Sequence, residues 1–65
     1  MINIISEEKA IKVINNRKPL DRFIVLENNG FTGIDNTSGD AWTESFKSLK
    51  NCLKWLNGAE LEACQ

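Results

Sequence analysis

Asp35 and Asp40 flank the polar turn Asn36-Thr37-Ser38-Gly39, where a hairpin can set them near each other, and paired carboxylates can do acid–base work. Carboxylates at the mouth of a turn more often accept backbone N–H groups as Asx-turns. A nucleophilic mechanism needs a nucleophile, a base and a group that orients the base. The chain has no histidine to serve as that base. The same stretch has the look of a calcium loop, but its twelfth position counted from Asp35 is Phe46, where a bidentate glutamate is required. Cys52 and Cys64 form no CxxC pair, so zinc lacks a ligand set, and no glycine loop is built to cradle phosphate. No catalytic residue, metal or cofactor is expected.

The two cysteines are too few for a disulfide scaffold. Cys52 falls on the apolar face of a helix, and Cys64, one residue from the end, is expected to be exposed. They read as free thiols in a reducing compartment, with a Cys52–Cys64 bridge or an intermolecular bond through Cys64 as the alternative. The longest purely apolar run, Phe23-Ile24-Val25-Leu26, is far short of the roughly 20 residues of a membrane span. Met1 to Ile5 has no basic region or cleavage site, so Asn36-Thr37-Ser38 carries no weight as a glycosylation sequon. A cytoplasmic location is expected.

The 65 residues carry 8 basic and 9 acidic side chains, so no global charge draws the chain to nucleic acid or anionic lipid. The charge is segregated nonetheless: residues 23–46 hold four acidic side chains and no basic ones, while 47–58 hold three lysines and no acid. Lys47, Lys50 and Lys54 form a stripe that suits phosphates, although such a stripe more commonly keeps a small protein soluble.

These residues are positioned by a short series of elements. Ser6 caps a first helix expected over 7–17, with Glu7 and Glu8 at its positive end and Ala10, Ile11, Val13 and Ile14 as its apolar stripe; Pro19 stops it. Residues 22–27, 31–35 and 41–46 then read as strands of an antiparallel meander, joined at Asn29-Gly30 and at 36–39. Ser48 caps a second helix over 49–57, whose apolar face holds Leu49, Cys52, Leu53 and Leu56. Ile2, Ile4 and Ile5 either form a short strand or pack beneath the first helix. The expected fold is α+β, an αβββα domain over 1–58 with both helices on one face of a three-stranded sheet and a flexible tail over 59–65.

A two-residue loop at Asn29-Gly30 pairs Leu26 with Gly33, and a four-residue loop at 36–39 pairs Gly33 with Trp42. One face then carries Ile24, Leu26 and Trp42, with Trp42 covering the gap left by Gly33. The other carries Phe23, Val25 and Ile34. Two helices on one side leave apolar sheet uncovered, which points either to a partner surface or to cover by loops and sheet twist. Trp55 sits at the margin of the second helix's apolar face, about 60° from Cys52, either as a core-edge residue or as an interface anchor. The candidate contacts are Ile24, Leu26, Trp42 and Trp55.

The run from Asp35 to Phe46, followed by Ser48-Leu49 and Cys52-Leu53-Lys54-Trp55-Leu56, resembles small proteins encoded by phages and prophages of Gram-positive bacteria. So does Ile5 to Ile11 leading to Lys18-Pro19-Leu20. Where such proteins carry acidic residues after the second helix cap, this chain has Lys50 and Asn51. The resemblance implies a non-enzymatic protein that binds and inhibits a host or defence protein, often as a homodimer. The alternatives are a nucleic-acid-binding regulator using Lys47, Lys50 and Lys54, and a sponge for a small nucleotide at a dimer seam.

Overall fold

A computed structural model describes residues 2–64. The chain runs β1 (Ile2–Ile5), α1 (Glu7–Asn16), β2 (Arg22–Glu27), β3 (Gly30–Asp35), β4 (Trp42–Phe46), α2 (Leu49–Leu56) and a 3₁₀ helix, Leu61–Cys64. It is an α+β fold on one four-stranded sheet of order β1-β2-β3-β4. β2, β3 and β4 are the expected antiparallel meander. The sheet has four strands where the αβββα reading had three. Of the two alternatives for Ile2, Ile4 and Ile5 the chain takes the short strand, β1, which pairs parallel to β2 with Ile4 opposite Ile24. Parallel neighbours need a crossover, and α1 supplies it.

Both helices begin where a serine can cap them. The Ser6 hydroxyl accepts the Lys9 N–H at 3.2 Å, and the Ser48 hydroxyl accepts the Asn51 N–H at 3.1 Å. α1 ends at Arg17, whose left-handed backbone (φ 58°) lets its N–H return to the Val13 carbonyl. Ala10 and Val13 are buried and Ile14 half-buried, but Ile11, assigned to the apolar stripe, is 59% exposed. The stripe is one residue narrower than the sequence suggests.

The two helices lie on opposite faces of the sheet, not on one. Alternation along the strands sends Phe23, Val25 and Ile34 to one side, where they pack with Ala10 and Val13 of α1. Ile24 and Phe46 point to the other, where Cys52 and Leu56 of α2 and Cys64 of the 3₁₀ helix cover them. Each face is apolar beneath its own helix, so each needs a separate cover. The 59–65 tail is likewise not left loose over the described residues: Leu61 packs on this core, and Cys64, expected at the surface, is buried.

Both hairpin registers differ from expectation. The first turn is Asn28-Asn29, which pairs Ile24 with Gly33 and Leu26 with Phe31. Gly30 starts β3 instead of closing the turn, since a Cβ there would sit 2.4 Å from the Phe46 carbonyl oxygen. The second loop is six residues long, so Gly33 faces Glu44 and Trp42 faces Asp35. Gly33 is covered from above by α2, and a Cβ there would lie 3.0 Å from Cys52 Sγ and 3.2 Å from the Trp55 ring. The tryptophan over Gly33 is therefore Trp55, not Trp42.

The long loop is held by Asn36, which is fully buried. Its Nδ2 donates to the Pro19 carbonyl at 2.9 Å and its Oδ1 accepts the Ala41 N–H at 3.1 Å. Its backbone N–H reaches the Asp21 carbonyl, and its carbonyl accepts Gly39 N–H. The Arg17 guanidinium adds bonds to the Gly39 and Asp40 carbonyls at 3.3 and 2.7 Å.

Two substitutions test this packing by urea unfolding. Asn36→Ala removes a fully buried amide and the partner of the Pro19 carbonyl and the Ala41 N–H, and should cost roughly 1–3 kcal/mol. Gly33→Val drives methyls into Cys52 and Trp55 and should cost about 1–3 kcal/mol. A loss under about 0.5 kcal/mol in either would contradict the contact it probes.

Candidate interaction surfaces

The carboxylates singled out for chemistry are engaged by their own loop. Asp35 Oδ1 accepts both the N–H and the hydroxyl of Thr37, at 3.1 and 2.7 Å, and Asp40 accepts the Ser38 hydroxyl at 2.8 Å. These are turn-closing bonds. Asp21, the carboxyl with a displaced pKa, is pulled below its ordinary range by the Arg22 N–H, against the opposing effect of burial, and by the Asn3 amide. The Asn3 bond, 3.0 Å long, ties β1 to the start of β2. Among the described residues no three His, Cys, Asp or Glu side chains gather as a metal would need. No helix of the described residues is long and apolar enough to cross a membrane.

The four proposed contact residues do not form one patch. Ile24 is buried under α2 and the 3₁₀ helix, so it is core and not surface. Trp55 is half-buried, packed on Phe46 at a ring separation of 5.7 Å and laid over Gly33. Leu26 and Trp42 are exposed, at 55% and 63%. They share a face, but Trp42 aligns with Arg22 while Leu26 lies four residues further along β2. Strand geometry then separates them by about 13 Å along the strands and ~10 Å across.

Leu26 instead has an exposed neighbour that the sequence reading passed over. Ile4, 64% exposed, projects from β1 on the same face, opposite Ile24. α2 packs chiefly on β3 and reaches β4, so on the β1 side of this face Ile2 still packs on the core while Ile4 and Leu26 stand exposed. β1 is an outer strand, and its residues Ile2-Asn3-Ile4-Ile5 include no charge and no proline. Natural edges are usually guarded by such residues. β4, the other edge, presents Thr43, Glu44 and Ser45. A single cue pointed to β1, namely three isoleucines within four residues.

The three lysines of the basic stripe part company. Lys50 and Lys54 line an open groove on the outer side of α2, with Leu49, Leu53, Asn57 and Ala59. Lys47 lines a different recess, of about 510 Å³, together with Glu7, Glu27 and the β2–β3 turn. Two carboxylates at that recess make it a poor seat for a phosphate.

Comparison with protein-family models, with curated proteins and with solved structures found no match to this chain.

Both cysteines are free and buried. Burial raises the Cys52 pKa above its ordinary 9.0, and the nearby Cys64 adds to the rise. The folded chain therefore keeps a proton that the unfolded chain releases near pH 9, so this contribution is intact below that pH and is lost as pH climbs beyond it. Urea midpoints should fall from pH 8 to pH 10 by more in the native sequence than in Cys52→Ala. Equal falls would place the thiol in contact with water.

Proposed function

We propose that this chain is a small non-enzymatic binding protein, acting by protein–protein contact in the cytoplasm as a homodimer joined through the free edge of β1. The observation that carries the reading is the unguarded outer strand with Ile4 and Leu26 exposed beside it. Two copies related by a two-fold axis can pair β1 with β1 antiparallel, giving one continuous sheet. Ile4 of each copy then lies beside its counterpart, with Leu26 flanking, and a strip of apolar side chains leaves water. A 65-residue core alone rarely supplies more than ~3–5 kcal/mol, so the added burial matters to stability. On the phage-type resemblance, the protein it binds and inhibits is a host or defence protein.

The nucleic-acid alternative has weaker support, because Lys47 stands apart and the other two lysines flank an apolar strip of Leu49 and Leu53. The nucleotide-sponge alternative depends on a dimer seam and stands or falls with the dimer.

Sedimentation equilibrium at tens of micromolar should give a mass near twice 7.3 kDa. Ile4→Lys, at an exposed edge position, should return the mass to 7.3 kDa without loss of secondary structure. A native mass of 7.3 kDa at the highest soluble concentration would exclude the dimer.

A further inference from the structure

We propose that the groove on the outer side of α2 binds an acidic amphipathic helix of a partner protein. The inference deepens the binding reading by naming the partner's chemistry, and it does not use the β1 edge. α2 is more apolar than its packing requires: Cys52 and Leu56 are buried, but Leu53 is half-buried and Leu49 remains 39% exposed. Leu49 and Leu53, one turn apart, line the groove with Ala59. That repeat is the spacing at which an amphipathic helix sets its own apolar residues, at i, i+3 or i+4, and i+7.

The lysines decide the sign of the partner. Lys50 and Lys54 are also one turn apart, both exposed, and α2 carries no acidic residue to offset them. An occupant that fills the floor with apolar side chains while meeting two ammonium groups must be apolar on one side and acidic beside it. Glutamates flanking the leucines of a helix meet both demands, and rim charges of this kind steer encounter and choose partners. A nucleic acid would leave the leucine floor unused, and Leu49, Leu53 and Ala59 offer no aromatic ring on which bases could stack. The chain's own nearby acids, Glu60 and Glu62, cannot be the occupant. They belong to the segment that Cys64 and Leu61 anchor in the core.

The test uses the full chain and a fluorescein-labelled helical peptide of about 18 residues, with leucines at that spacing and glutamates on their flanks. A twin peptide carries lysines in place of the glutamates. Anisotropy should show micromolar binding of the acidic peptide, weakened about tenfold or more by ~0.5 M salt, and none of the basic twin. The double variant Lys50→Glu, Lys54→Glu alters only exposed side chains and should reverse the preference. Absence of binding by the acidic peptide, equal binding of both peptides, or an unchanged preference in the double variant would overturn the proposal. So would tighter binding to vesicles of anionic phospholipid or to duplex DNA than to the peptide. Measuring mass and peptide binding together on the native chain separates the two readings. A native chain that binds the peptide as a monomer removes only the dimer, and a native dimer that fails to bind removes only the groove, while Ile4→Lys should bind the peptide as the native chain does.

Discussion

A sheet that is apolar on both faces has to be covered twice, and this chain has one short helix for each face. Strand alternation creates the demand, since Ile24 and its neighbours Phe23 and Val25 on β2 are all buried, facing opposite ways. α1 meets it on one side as the crossover between the parallel strands β1 and β2. α2 meets it on the other, after β4 returns the chain to the far end of the sheet. Gly33 shows how close that second contact is, since a methyl there would press to 3.0 Å from Cys52 and 3.2 Å from Trp55. The 3₁₀ helix completes the cover with Cys64.

Covering both faces leaves little chain for anything else, so the connections are fastened by polar bonds. Asn36 joins the α1–β2 connection to the β3–β4 loop with its side chain and backbone together. Arg17, at the end of α1, reaches into that same loop. A buried amide with both ends paired stabilises one arrangement over its competitors, because any other arrangement strands a polar group away from water. The strands therefore keep a defined register although the second loop is six residues long.

The helices and the meander were legible because their signals are local. Ser6 and Ser48 mark helix starts, and the β-favouring run at 22–27 marks a strand. The strand registers were not legible. Asn29-Gly30 looks like a turn, yet Gly30 is required by the approach of Phe46, a contact 16 positions away in the chain. The second register depends on Asn36, whose partners Pro19 and Asp21 lie on another connection. With the helices placed on one face, Ile24 looked exposed; with them on both, it is core and Ile4 is the exposed isoleucine. One helix on each side covers both apolar faces, and what remains open is an edge and a groove, not a face.

The account rests most heavily on the claim that β1 is the edge at which this chain meets another. Amide hydrogen exchange, followed residue by residue at two protein concentrations, tests it directly. The β1 amides that point away from β2 should exchange fast in dilute solution and slow markedly on concentration, while those on the outer side of β4 stay unchanged. Fast exchange along β1 at every concentration, or slowing confined to β4, would contradict it.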